Sequence, residues 1–329
     1  MKHPVIDLHC DLLGHMLNMP NPDPFQREGI GCSFPALAEG HVKLQVMAIF
    51  TATEKGSTAL AVRQSEIFAS FLAKYPNHCT LIHDLSTLNQ IATSSKLGMI
   101  AAIENASGFC EEDEPLDIGL ERLEQIIANT TRILYIGFTH HAENRFGGGN
   151  NSQVGLKEDG KRLLQYLNGR KIAVDFSHTS DALAKDILDY ISKHHLEVPI
   201  LASHSNYRQV FNHARNLPDD IAKEIIQRGG IIGVNFLRAF VNNEDSNALY
   251  QHINHGIKLG GSKAICFGAD YFSTSTNPDQ SRIPFYFKEH EDASRYPSIL
   301  QSISQQVSPD IIEDISSENV IRYLTELWK

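Results

Sequence analysis

The stretch Val5-Ile6-Asp7-Leu8-His9-Cys10-Asp11 decides how the rest of the chain is read. It has the length and apolar content of a buried strand, and it ends in an imidazole and a carboxylate two residues apart. Strand side chains i and i+2 share a face. His9 and Asp11 are therefore expected to project together from the carboxyl end, with Cys10 turned away between them. Such a pair is half a site for a borderline metal such as zinc. A surface histidine beside a solvated aspartate is spelled the same way, so the pair decides nothing alone. What decides is that the same event, a polar residue capping an apolar run, recurs down the chain.

Working outward, apolar runs of strand length fall at Lys43–Phe50, Leu97–Ile103, Arg132–Phe138, Lys171–Phe176, Val198–Ala202, Gly230–Asn235 and Ala264–Gly268. Helix-period segments lie between most of them: Thr58–Lys74, Leu85–Thr93, Leu116–Ala128, Lys157–Asn168, from Asp181, from Pro218 and Ala248–Leu259. Gly169 reads as a helix C-cap, and Asp219 and Asp220 suit the first turn of a helix. Eight strands alternating with helices predict a parallel sheet, closed into a (β/α)₈ TIM-type barrel with two additional C-terminal helices. The alternative is an open doubly wound sheet. It would normally carry a nucleotide loop after a strand, and the chain has none. Residues 1–329 read as one barrel domain. The Pro- and Gly-rich segment Pro20–Pro35 reads as a loop over the site, and Gly147-Gly148-Gly149 as a mobile loop.

Six of the eight strands end in a residue with chemistry: His9 with Asp11, Glu104, His140, His178, His204 and Asp270. A histidine after a strand is ordinarily a satisfied loop residue, and a carboxylate there is ordinarily a cap. Those bland readings would have to hold independently at six places on one end of the fold. In a barrel the six converge on one mouth. Three histidines and two carboxylates suffice for two metals: His9 and Asp11 on one, His178 and His204 on the other, with Glu104 bridging. Paired cations lower the pKa of a bridging water and polarise a carbonyl. Asp270 is then placed to pass the water's proton to a leaving amine. Arg215 precedes a helix start; it reads equally as a clamp for a substrate carboxylate or as a surface arginine capping its loop.

These segments carry a family resemblance. Ile6-Asp7-Leu8-His9-Cys10-Asp11, Ile103-Glu104-Asn105, Phe138-Thr139-His140, Val174 through Ser180, Ala202-Ser203-His204-Ser205-Asn206, His213-Ala214-Arg215-Asn216-Leu217 and Gly268-Ala269-Asp270 resemble, in order, the membrane (renal) dipeptidase family of metal-dependent amidohydrolases. The resemblance implies a barrel enzyme with two Zn2+ ions that hydrolyses dipeptides through a metal-bridging hydroxide. It implies His9, Asp11, Glu104, His178 and His204 as ligands and Asp270 as proton shuttle. It gives His140 the substrate carbonyl and Arg215 the terminal carboxylate. The chain departs from the family where Asp270-Tyr271-Phe272-Ser273 lacks a second carboxylate, and where His141-Ala142-Glu143-Asn144 and the triple glycine replace an Asn and a Gly-Asp-Gly loop. Those departures bear on substrate side-chain preference. The alternative function keeps the same site for another small amide or ester, such as an N-acyl amino acid or a lactone. A non-catalytic module with a structural metal is disfavoured, because such sites are usually closed by four protein ligands.

Composition sets the remaining bounds. Apolar and charged fractions of 42% and 21% are those of a globular protein. A net charge of −10 argues against nucleic acid and anionic membranes as partners. Five scattered cysteines without a C-x-x-C pair point to free thiols in a reducing compartment. No basic-then-apolar signal precedes the first strand, and the reading is cytoplasmic. The amphipathic tail helices offer a face for a homo-oligomer.

Overall fold

The computed structural model describes residues 3–276 and 279–329. Nine parallel strands form its sheet: β1 (Val5–Cys10), β2 (Val42–Ile49), β3 (Cys79–Leu81), β4 (Leu97–Ile103), β5 (Ile133–Gly137), β6 (Ala173–Asp175), β7 (Ile200–Leu201), β8 (Ile232–Val234) and β9 (Ile265–Phe267). Eight of them run in the order β7-β6-β5-β4-β2-β1-β9-β8. The ring closes through a parallel bridge between Ala202 and Ile232. There the Ala202 N–H donates to the Ile231 carbonyl (2.9 Å) and the Gly233 N–H to that of Ala202 (2.8 Å). This is the expected (β/α)₈ barrel, with helices between the strands.

The ninth strand is a correction to the expected eight. β3 pairs with Leu97–Met99 at the start of β4, below the point where β5 takes over at Ala101. Its three residues carry too little apolar pattern to be read as a strand. Two short helices, Leu12–Asn18 and Phe34–Glu39, were also outside the reading. The second begins inside the segment expected to be an irregular loop over the site. That segment does not cover the site; it supports a neighbouring loop instead. The Gly29 carbonyl accepts from the Thr274 N–H and the Gly31 carbonyl from the Ala293 N–H, at 2.9 Å each.

Two apolar layers follow from strand alternation. Ile6, Leu8, Leu44, Val46, Ile100, Ala102 and Leu201 fill the barrel interior. Val5, Cys10, Met47, Ile49, Ala101 and Ile103 face the surrounding helices. On β1 the alternation is broken between Asp7 and Cys10, where three steps along β1 oppose two along β2. This β-bulge reverses the parity of the strand. Strict alternation from Ile6 and Leu8 would send His9 outward and Cys10 inward. The extra residue aims His9 into the barrel and leaves Cys10 in the outer layer. Asp7 stabilises the bulge by accepting from the freed His9 N–H (2.9 Å) and from the Ala269 N–H (3.2 Å).

The tail is a helix at Tyr296–Ile303 and a longer run from Pro309 to Trp328 broken by one π-helical turn at Asp314–Glu318. Its apolar face does not wait for a second copy. Val320, Leu324, Leu327 and Trp328 join the barrel-interior cluster. Hydrogen bonds from Tyr323 to the Ile200 carbonyl (3.2 Å) and from Asn319 to that of Ile265 (2.7 Å) fix the helix under the starts of β7 and β9. The tail is thus the floor of the barrel. Among the described residues, no helix is long and apolar enough to cross a membrane. The five cysteines are free and buried.

Leu324 is fully buried in this floor. Leu324→Ala is expected to lower unfolding stability in urea by about 2–5 kcal/mol through lost burial and a residual cavity; a loss under 1 kcal/mol would mean that the tail does not close the barrel.

Candidate active site

At the carboxyl ends of the strands one device recurs. An Asn or Asp accepts a hydrogen bond from the backbone N–H two residues on, an Asx turn that leads the chain off the sheet. Asp7 does this with His9 (2.9 Å), Asn105 with Ser107 (3.2 Å), Asp175 with Ser177 (3.0 Å) and Asn235 with Leu237 (2.7 Å). The polar side chains beside these turns are thereby held at one rim. Glycine permits the close approach: a Cβ on Gly137 would lie 2.3 Å from the Glu104 carbonyl, and one on Gly268 1.9 Å from that of Ser203. His178 and Asp270 sit in the left-handed backbone region at φ 67° and 65°. Non-glycine residues enter that region at a cost and do so preferentially at functional sites.

The expected site residues converge. Glu104 lies at the centre, with Oε2 3.6 Å from His9 Nε2 and Oε1 3.1 and 3.4 Å from the Nε2 atoms of His178 and His204. The two carboxylate oxygens therefore face two different clusters. His9 Nε2 also lies 4.0 Å from Asp11 Oδ1 and 3.7 Å from Asp270 Oδ1. His140 stands at the edge, its Nε2 3.7 Å from Glu104 Oε1. A cavity of about 260 Å³ opens above them, with Phe50, His141, Leu237 and Phe240 on its walls. Its size suits a ligand smaller than a drug molecule.

Hydrogen bonding fixes the tautomer of each inner histidine. The Tyr135 hydroxyl donates to the Leu8 carbonyl (2.9 Å), so it accepts from His9 Nδ1 (2.8 Å). The Ser203 hydroxyl donates to Asp175, so it accepts from His204 Nδ1 (2.6 Å). The Asn150 amide oxygen can only accept, so His178 Nδ1 is the donor at 3.3 Å. All three rings thus carry the proton on Nδ1 and turn a bare Nε2 lone pair to the centre. The Nε2 atoms of His178 and His204 face each other at 3.1 Å. His9 Nε2 and Asp11 Oδ1 are buried with no hydrogen-bond partner among the described residues. Such orphans cost about 1–3 kcal/mol each when buried. Opposed lone pairs and a buried carboxylate are together relieved by a cation. The donor set of imidazole nitrogen and carboxylate oxygen fits zinc and its neighbours. Three triads have donor atoms close enough together to hold an ion: His9-Glu104-His204, His9-Asp11-Asp270 and His140-His141-His178.

Electrostatics agree. Burial pushes Glu104 up to about 8, partly opposed by the charge of Arg215. Burial raises Asp270 to about 6, with His9 pulling down and Glu104 pushing up. Asp11 is raised by burial and then by Glu104. Burial, followed by neighbouring positive charge, holds His140, His178 and His204 well below the ordinary histidine range.

Several residues correct or extend the reading. Arg215 is neither a surface residue nor on the cavity wall. It is buried, with Nη1 donating to the Ser205 hydroxyl (3.0 Å), Nη2 to the His204 carbonyl (2.7 Å), and Nε unpaired. The expected mobile loop at Gly147–Gly149 is buried and packed; a Cβ on Gly149 would lie 2.1 Å from the His140 carbonyl. Asn235 donates from Nδ2 to Asp270 Oδ2 at 2.8 Å. It ends an apolar run, so the same rule that picked the other strand ends would have found it. Tyr135 lies within a strand, and Arg282 and the short helix carrying His15 lie in irregular stretches. No local pattern marks them.

A family model for membrane dipeptidases (peptidase family M19) matches residues 1–328. An uncharacterized dipeptidase of Schizosaccharomyces pombe is 27% identical over 230 residues, 64% of this chain and 52% of that protein. The chain thus spans about half the length of this curated relative. Among solved structures, a metallopeptidase from Rhodobacter sphaeroides liganded with a phosphinate mimic of the dipeptide L-Ala-D-Ala is 17% identical, with a TM-score of 0.85 over 100% of both chains. Dipeptidase AC, a family M19 metallopeptidase, is 18% identical with a TM-score of 0.84 over 100% of this chain and 99% of its own. A probable dipeptidase of Pseudomonas aeruginosa is 16% identical with a TM-score of 0.78 over 99% and 96%. At these identities the structures bear on the fold.

Two outcomes are expected of metal-binding experiments. Burial lifts Glu104 to about 8, so in metal-free protein at pH 7 its carboxyl largely retains a proton, and titration with Zn2+ should release about one proton; calorimetry in buffers of different ionisation enthalpy measures this, and no release would contradict the assignment. Ser203→Ala should weaken zinc affinity by about 10- to 100-fold by freeing the His204 ring; an unchanged affinity in a competition titration would show that Ser203 does not set the tautomer.

Proposed function

The chain belongs to the membrane dipeptidase family (peptidase family M19), and from that premise we propose that it is a zinc-dependent dipeptidase, residues 1–329 acting as one hydrolase unit. The observation that carries this is the set of bare Nε2 lone pairs of His9, His178 and His204 turned toward the two oxygens of Glu104. In this reading His9, Asp11, Glu104, His178 and His204 would hold two Zn2+ ions. Bound there, the pair of ions would acidify a water and polarise the scissile carbonyl.

The remaining work falls to the chain's own side chains. Asp270 presents Oδ1 to the site while Asn235 holds Oδ2 at 2.8 Å. That orientation lets Oδ1 take the proton of the attacking water and deliver it to the departing amine. A group at about 6 is suited to both halves of that transfer near neutral pH. His140 is kept neutral by burial and neighbouring charge; its N–H is available to the carbonyl oxygen, where charge builds in the transition state. Arg215 supplies positive charge behind the cavity wall, toward which a substrate's terminal carboxylate is drawn. The substrate is a small dipeptide.

The test combines metal analysis with kinetics. Chelation should abolish dipeptide hydrolysis and added Zn2+ should restore it. Asp270→Asn should keep its metal content and lose at least about 100-fold in kcat; near-native turnover in that variant would remove Asp270 from the reaction. Hydrolysis of an N-acyl amino acid or a lactone in preference to every dipeptide would favour the other amide or ester reading.

A further inference from the structure

The wall of the cavity carries a cation that the reaction above does not use. Arg282 lines the cavity from a 3₁₀ turn, Gln280–Arg282, in the long segment between Asp270 and the helix at Tyr296. Its guanidinium lies 5.9 Å from the Phe240 ring, and Arg215 lies 5.6 Å from the same ring. Two guanidiniums therefore flank one aromatic side chain, one buried toward the metal-ligand cluster and one at the mouth.

Arg282 is unengaged where its neighbours are not. Arg208 makes a bidentate pair with Asp181, and Arg238 donates to the Pro284 carbonyl. Among the described residues, no carboxylate or other acceptor meets the Arg282 side chain. The histidines that feel its charge offer it no counter-charge. His141 and His213 are held below the ordinary histidine range first by burial and then by positive neighbours that include both Arg215 and Arg282. The cavity's carboxylates, Asp11, Glu104 and Asp270, all belong to its floor. In a chain of net charge −10, a guanidinium with no carboxylate partner among the described residues is a local reversal of sign. It would favour an anionic group reaching the mouth.

We infer that Arg282 reads a second carboxylate, carried by the side chain of the substrate's carboxyl-terminal residue, so that the preferred dipeptides end in aspartate or glutamate. The inference rests on the dipeptidase reading. The terminal carboxylate goes toward Arg215, the side-chain carboxylate toward Arg282, and Phe240 packs between them. A guanidinium grips a carboxylate through two parallel N–H bonds, whereas a side-chain amide of the same shape offers it a single neutral oxygen.

The experiment measures kcat/KM of the zinc-loaded enzyme for Ala-Glu, its isostere Ala-Gln and Ala-Ala, each as the L,L and L,D isomer, in the native protein and in Arg282→Gln and Arg282→Glu. The native protein should favour Ala-Glu over Ala-Gln by about tenfold or more, mostly through KM. Arg282→Gln should bring that ratio close to one, and Arg282→Glu should take it below one. A native ratio near one, or a ratio that Arg282→Gln leaves unchanged, overturns the inference while dipeptide hydrolysis stands. The second outcome includes the case in which Arg282 holds the terminal carboxylate common to all three substrates. Failure to cleave any dipeptide overturns the dipeptidase reading and this inference together.

Discussion

A buried carboxylate surrounded by imidazole lone pairs is unfavourable unless something positive sits among them. Glu104 occupies that position, and the rest of the rim is arranged around it. Its two oxygens face His9 on one side and His178 with His204 on the other. The partners of the three rings, Tyr135, Asn150 and the Ser203–Asp175 pair, all take up Nδ1. Each partner lies on a different strand or loop from the ring it fixes or, in the case of Ser203, is anchored on another strand. The tautomers, and so the capacity for a cation, are consequences of barrel closure.

Placing these groups requires the backbone to leave the sheet abruptly at several strand ends. The Asx turns at Asp7, Asn105, Asp175 and Asn235 do this with one short side chain each. At β1 the turn also accommodates a bulge, without which His9 would point away from the site. Gly137 and Gly268, at the ends of β5 and β9, admit neighbouring carbonyls at distances no Cβ allows. The floor at the other end, closed by Leu324 and Trp328, supplies packing. Chemistry and packing are thereby separated along the barrel axis, so the rim can hold left-handed residues and raised carboxylates while the apolar interior holds the fold.

The mouth is electrically unlike the rest of the molecule. Carboxylates lie at the floor of the cavity, while the Arg282 guanidinium makes its wall positive. Neither sign follows from the overall charge of −10; both follow from which loops the barrel brings over its rim.

The sequence alone determined the barrel and the convergence of its polar strand ends, because both are local patterns. Apolar runs alternate with helical periods, and each of His9, Glu104, His178, His204 and Asp270 sits where such a run stops. Asn235 was legible by the same rule. What only the tertiary structure decided has no local signature. The bulge that aims His9 inward is a mismatch of register between two strands. The burial of Arg215 and the packing of Gly147–Gly149 come from neighbours distant in the chain. The pairing of Arg282 with Arg215 across Phe240 joins residues 67 positions apart. Sequence pattern fixes which residues end a strand; the direction each one faces, and the proton it carries, are set by contacts that exist only once the ring has closed.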